Sequence, residues 1–165
     1  MTLSTRICLM SKGVVQQFDA PLTVYNRPAN LFVADFVGNP TMNFIDCTIT
    51  RDSDGYAVHF LGETGRFVPG EAVELEEGAY VLGIRPELIR ICDDGALSMS
   101  AYATLPSGLE TTIKLKKGDT ILSSIQFGAI DYEVDRELRC DITGDKTCLF
   151  GKKSTGLAAM GSIRF

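Results

Sequence analysis

Apolar and polar positions change their period twice along the chain. The opening pattern is that of a hairpin: Arg6–Met10 and Val14–Phe18 flank Ser11-Lys12-Gly13, where glycine can supply the positive φ of a tight turn. A lone two-stranded hairpin is marginal in water, so this one predicts a surface to join. Two short helices follow. Pro21 stands at a first helical position and Leu22 to Tyr25 continue one turn, while Pro28 opens the second helix. In that helix Phe32 with Phe36, and Val33 with Val37, are i,i+4 pairs along an apolar stripe that Gly38 and Pro40 close. Its polar side holds only Asn30 and Asp35, so the helix is expected to be buried against something substantial.

After Met42 the period falls from about 3.6 to 2. Ile45, Cys47 and Ile49 alternate with polar residues, Asp52-Ser53-Asp54-Gly55 turns the chain, and Tyr56, Val58 and Phe60 alternate next, with His59 on the other face. Gly62, Gly65, Pro69 and Gly70 read as a loop leading to the acidic run Glu71, Glu74, Glu76 and Glu77; Tyr80, Leu82 and Ile84 resume the alternation. The second half repeats the habit at Leu97 to Leu105, Thr111 to Leu115, Ile121 to Phe127 and Leu138 to Ile142, with Cys148-Leu149-Phe150 near the end. Many short strands with frequent turns predict a mainly β fold, a small barrel or a sandwich, with two short helices near the N-terminus. About ten strands exceed one five-stranded barrel, so two barrel-like halves are expected.

Charge narrows the functional classes. The chain has 165 residues and a formal net charge of −5. Residues 1–82 hold 5 basic and 10 acidic side chains, whereas 83–165 hold 11 of each. Phosphate-backbone binding needs clustered Lys and Arg, so nucleic acid is disfavoured as a partner, and so is single-strand binding by an OB fold, which wants aromatics interleaved with basic residues. No apolar run approaches the roughly 18–20 residues of a membrane span, and the start lacks a signal peptide's basic and apolar segments. A soluble, intracellular chain without direct membrane insertion is expected. The five cysteines (Cys8, Cys47, Cys92, Cys140 and Cys148) form no C-x-x-C pair. Cys47, Cys92 and Cys140 fall in apolar-alternating stretches, as buried free thiols do.

Catalytic patterns are missing. Gly144-Asp145-Lys146-Thr147 and Gly151-Lys152-Lys153-Ser154 each lack the upstream glycine of a phosphate-binding loop and lie between strand-like segments; both read as turns. A Ser-His-Asp arrangement would have to use His59, on a short strand, and metal ligands have no useful spacing. The Glu71–Glu77 carboxylates read as a solvated face. No enzymatic activity, metal or cofactor is expected of this chain.

Three segments carry a resemblance. The stretch from Leu9 to Phe44, including Phe18-Asp19-Ala20-Pro21 and Phe32-Val33-Ala34-Asp35-Phe36-Val37-Gly38-Asn39-Pro40-Thr41-Met42-Asn43-Phe44, resembles the end of the nucleotide-binding domain and start of the regulatory domain in ATPase subunits of ABC importers, closest to those serving maltose, oligosaccharides and glycerol-3-phosphate. Leu82-Gly83-Ile84-Arg85-Pro86-Glu87-Leu88 resembles that family's G-[IV]-R-P-E-x strand end, and Leu149-Phe150 with Ser154-Thr155-Gly156 its closing L-F-x-x-x-T-G. Leu88, where many relatives carry histidine, and Gly151, where an acidic residue is common, depart from the pattern.

The resemblance implies a transport-associated OB-type (TOBE) domain. It implies that residues 1–20 are the last hairpin of a nucleotide-binding domain, 21–41 a helical hinge, and 42–165 the regulatory domain. The family's P-loop, signature motif, metal-binding acidic motif and switch histidine lie upstream of the matched segment, and Met1 to Ser4 falls just after the place of the switch histidine. ATP and Mg would belong to a full-length parent. A cytoplasmic domain peripheral to the inner face of the membrane is implied, pairing as a homodimer and joined to the nucleotide-binding domain, permease subunits and a regulatory protein. Arg85, Pro86 and Glu87 are interface candidates, because Pro86 fixes the chain between opposite charges that could pair across a dimer; the alternative for the same residues is a structural strand-to-turn corner. Asn43 is a second, able to satisfy backbone groups where helix becomes strand. The competing reading is a small-ligand or oxyanion site on the loops at Ser107-Gly108 and Ser154-Thr155.

Overall fold

The computed structural model describes residues 5–165, so the segment Met1–Ser4 lies outside the described residues. The hairpin is present: β1 (Ile7–Ser11) pairs antiparallel with β2 (Val14–Asp19), and both Lys12 and Gly13 have positive φ at its turn. Helix α1 (Pro21–Asn26) begins at its proline. Helix α2 (Leu31–Phe36) starts later than Pro28 suggests, because Asn30 caps it by accepting a hydrogen bond from the Val33 N–H at 3.0 Å.

Six strands close a barrel: β3 (Asn43–Asp52), β4 (Gly55–Phe60), β5 (Glu63–Pro69) and β6 (Gly78–Ile84), joined much later in the chain by β12 (Thr147–Gly151) and β13 (Leu157–Arg164). Their order around the barrel is β12-β13-β5-β4-β3-β6. A 3-10 turn at Pro86–Leu88 then leads into a second sheet made of β7 (Ile89–Ile91), β8 (Leu97–Ser107), β9 (Glu110–Lys117), β10 (Thr120–Phe127) and β11 (Glu137–Ile142). Its order is β10-β9-β8-β11-β7. The two ends of that order meet where Ser124 Oγ donates to the Ile89 carbonyl at 2.7 Å. The fold is therefore mainly β, with a closed barrel and a curled five-stranded sheet rather than two closed barrels. No helix among the described residues is long and apolar enough to cross a membrane.

Three differences from the sequence pattern have identifiable causes. The stretch read as a loop after Phe60 is strand β5, reached through a tight turn in which Leu61 and Gly62 take positive φ. Its pattern is weak because Gly65 occupies an inward position. A Cβ there would lie 2.9 Å from Ile163 Cγ2, and one on Gly161 would press into the Val68 carbonyl. Glycine on each strand lets β5 and β13 approach and close the barrel. Second, the stripe on α2 divides: Val33 and Val37 are buried against Leu9 and Val24, Ala34 packs on the barrel, and Phe32 and Phe36 stack on each other facing solvent. Third, the alternation of Ile121, Ile125 and Phe127 is real but points outward. β10 gives Leu122 and Ser124 to the core, and Phe127 is 83% exposed. A bulge between Ala101 and Ala103 likewise turns Leu105 out of the core.

One apolar cluster runs through both β units, from Ile45, Ile49, Val58 and Leu82 in the barrel to Ile89, Leu97, Ile113 and Leu138 in the sheet. Among the cysteines, Cys47, Cys140 and Cys148 are buried; Cys92 is only half-buried because it lies just beyond the end of β7. Gly161→Ala is expected to force β5 and β13 apart and cost about 1–3 kcal/mol, read as a lower urea midpoint with an unchanged slope.

Candidate functional site

The residues singled out at the ends of β3 and β6 converge. Asn43 opens β3 opposite Ile84, the last residue of β6, and is 7% exposed. Its Nδ2 donates to the carbonyls of Ile84 (3.0 Å) and Ser123 (2.9 Å), and its Oδ1 accepts from the Ser123 N–H at 2.7 Å. Asn43 does satisfy backbone groups, but not those of the helix-to-strand junction. It reaches strand β10 of the second sheet, a partner that sequence proximity does not reveal.

Directly after β6 comes Arg85. Ile84 faces the core, so the following residue leaves on the opposite side, and Pro86 starts the 3-10 turn that carries Glu87 back toward the same place. Arg85 is 4% exposed. One terminal nitrogen donates to the carbonyls of Val37 and Ala34, and the other to that of Tyr25 at 2.9 Å. The guanidinium carbon lies 4.1 Å from the centre of the Tyr25 ring, and the Tyr25 hydroxyl donates to Glu87 at 2.8 Å. Burial lowers the Arg85 pKa from its ordinary value, with Tyr25 and Glu87 acting in the opposite sense. Within the chain, then, Arg85 is taken up by backbone carbonyls and the Tyr25 ring, while the exposed Glu87 accepts from the hydroxyl of the same tyrosine. Helix C-terminal carbonyls attract a cation, and a fork-shaped donor can collect carbonyls from both helices where an ammonium reaches fewer.

Weaker ties surround this clamp. Gln17 Nε2 donates to the Arg27 carbonyl and its Oε1 accepts from the Ala29 N–H, fixing the hairpin to the segment after α1. Arg27 meets Glu71 in a forked ion pair at 2.6 and 3.2 Å; both side chains are more than half exposed, so the pair contributes little. The Leu31 N–H donates to the Thr155 carbonyl, and the Leu157 N–H to that of Ala29. Residues 21–41 are therefore pinned to the barrel along their length. Sequence reasoning missed Tyr25, which read only as part of a helical turn, and Ser123.

The loops considered for a small ligand lie apart. Ser107 and Gly108 form the exposed tip between β8 and β9, while Ser154 and Thr155 sit between β12 and β13. The Thr155 N–H already donates to the Gly151 carbonyl and the Gly156 N–H to Ser154 Oγ, which spends donors an anion would need. A surface groove of about 580 Å³ crosses the barrel face past Thr48, His59, Glu63, Tyr80 and Lys152. There His59 bridges Thr50 and Thr64 at 3.0 and 2.9 Å, and Lys152 pairs with Asp46. No group of three or more His, Cys, Asp or Glu able to hold a metal occurs among the described residues.

Residues 38–89 match the family model of the MalK OB fold domain, a span that holds Asn43 and the Arg85–Glu87 turn. The chain carries an OB-fold domain of the ABC transporter ATPase kind. An uncharacterized ABC transporter ATP-binding protein, YcjV, from Escherichia coli (strain UTI89) is 47% identical over 93 residues, 53% of this chain and 24% of its own. A putative ATP-binding protein from Brucella suis biovar 1 is 40% identical over 114 residues, 68% of this chain and 31% of its own, and one from Brucella abortus (strain 2308) gives the same figures. This chain thus spans about a quarter to a third of the length of these curated relatives.

In this OB-fold domain Arg85→Lys should lose the fork and cost about 1.5–3 kcal/mol, with amide exchange accelerating across 21–41 more than across β3–β6. Burial first, then the bond to Glu87, push the Tyr25 pKa up to about 12, and burial pushes Cys47 and Cys140 to about 12 and Cys148 to about 11. All four are held neutral by the fold and ionise more easily once unfolded. The stability they confer is complete below about pH 9 and is lost as pH rises through about 11–12. An alkaline series of unfolding midpoints should fall over that window, and Tyr25→Phe should flatten its upper part.

Proposed function

We propose that this chain is the regulatory and dimerisation module of the ATP-binding subunit of an ABC importer of the sugar or glycerol-3-phosphate class. The MalK OB-fold match supports the class of transporter, and the Arg85 clamp is the observation that carries the mechanism. Arg85 holds the carbonyls of Tyr25, Ala34 and Val37, so the 21–41 segment and the barrel move together. A hinge of this kind transmits displacement instead of absorbing it. A protein bound to the β domain would then shift the balance between open and closed motor states through the hairpin.

The hairpin offers the place where a motor would attach. Its outer face carries Met10, Val15 and Phe18, each more than half exposed, and Leu22 and Phe36 on the helices add to the exposed apolar surface. Such a surface fits an ATP-binding domain, which would supply ATP, Mg and hydrolysis, and would place the assembly against permease subunits at the inner face of the membrane.

Two measurements test the reading. Sedimentation should show self-association of the chain at high micromolar concentration; a monomer throughout would count heavily against dimerisation. Mixing with an ATP-binding domain of such a subunit should give a complex that Phe18→Asp weakens, and absence of any complex would remove the motor-attachment role.

A further inference from the structure

Helix α2 leaves a groove open between itself and the barrel. Leu31, Phe32 and Asp35 fall on one side of the helix, because residues three and four apart share a face. Phe44 and Asp46 point the same way from β3, two residues apart, and Val81 of β6 lies opposite Asp46. These six side chains line a space of about 480 Å³. Its two aromatic members are each held by a second ring. Phe44 meets the fully buried Phe150 with ring centres 6.3 Å apart and planes at 69°. Phe32 stacks on Phe36 with centres 6.0 Å apart and planes at 26°. Packing thus fixes Phe32 without covering it, since it stays 39% exposed.

The chemistry of the lining selects an occupant. Its only polar side-chain atoms are the carboxylate oxygens of Asp35 and Asp46, and none of the six side chains can donate a hydrogen bond. A sugar or an anion would find no side-chain donor there. Lys152, which does not line this groove, pairs with Asp46. Asp35 has no hydrogen-bond or ion-pair partner among the described residues. A cation is therefore favoured, by the free carboxylate and by rings whose π faces are negative. The charge of the surrounding sequence agrees, with 10 acidic against 5 basic side chains in residues 1–82. A metal ion or a primary ammonium is strongly hydrated and wants more acceptors than the groove supplies. An alkylated ammonium sheds water more easily and presents methyl groups to Leu31, Val81 and the two rings.

We propose that the groove between α2 and the barrel binds a small alkylated ammonium cation, with Phe32 and Phe44 against its methyl groups and Asp35 as its counter-charge. Because the walls come from both the helical segment and the barrel, a bound cation ties the two together. The site does not depend on the dimerisation or motor-attachment readings.

NMR titration of the full chain with choline tests it. Choline should shift the methyl signals of Leu31 and Val81 and the ring signals of Phe32 and Phe44. The neutral isostere of choline, in which a tert-butyl group replaces trimethylammonium, should bind at least about tenfold more weakly. Phe32→Leu and Asp35→Asn should each weaken choline binding about tenfold while leaving the unfolding midpoint in place, since both side chains are exposed. Choline that shifts none of the groove signals at concentrations up to about 10 mM overturns the site. Equal binding of the neutral isostere also overturns it, because the groove would then read shape and not charge. Wild-type affinity in either variant does the same, by removing the ring or the counter-charge from the site.

Discussion

The side-chain amide of Asn43 stands where a neighbouring strand would place a peptide group. It donates to the carbonyl of Ser123 and accepts from the same residue's N–H, which is the pair of bonds a strand would exchange with the edge of β10. A second proton of the amide serves the Ile84 carbonyl at the end of β6. One side chain thereby ends the barrel, blocks an otherwise open sheet edge and joins two β units whose strands form no ladder with one another. Each neutral bond is worth only about 1 kcal/mol net. Their leverage comes from burial: without the amide, three backbone groups would lose their partner at the junction, and leaving a buried polar group unpaired costs about 1–3 kcal/mol.

Arg85 extends the same junction toward the N-terminal segment. Its charge has no buried carboxylate against it. Carbonyl dipoles from the ends of both helices and the face of Tyr25 surround it, and Glu87 acts on it through the tyrosine. Such a site favours arginine because a planar fork can satisfy several acceptors while stacking. It also orders the parts by dependence. The barrel positions Arg85, Arg85 positions the helices, and the helices with Leu9 give the hairpin its only apolar support among the described residues. The marginal hairpin of the sequence acquires a place through this chain of contacts.

Much of this was legible before any coordinates. The hairpin, the two helices, the β character after Met42 and the resemblance to importer ATPase subunits all come from local spacing and motif. The β5 strand was not, because Gly65 removed the apolar signal at the position where β13 had to come close. Direction was not legible either. Alternation at Ile121, Ile125 and Phe127 establishes a strand with two unlike faces, and nothing local says which face meets the core; Leu122 wins because it lies opposite Leu115. Arg85 and Glu87 showed the same limit. Their types marked them as special, while their partners lie 48 to 62 residues away in the chain.

By itself, then, the sequence determined the kinds of element, the absence of a catalytic pattern in this chain and the class of protein it resembles, since turn chemistry, periodicity and motif are properties of neighbouring residues. Only the tertiary structure decided that Arg85 is an internal clamp, that Asn43 joins two sheets and that Leu105 and Phe127 face away from the core. Those outcomes depend on which distant strands come to lie together, and a free energy of contact between residues 80 apart has no local signature in the chain.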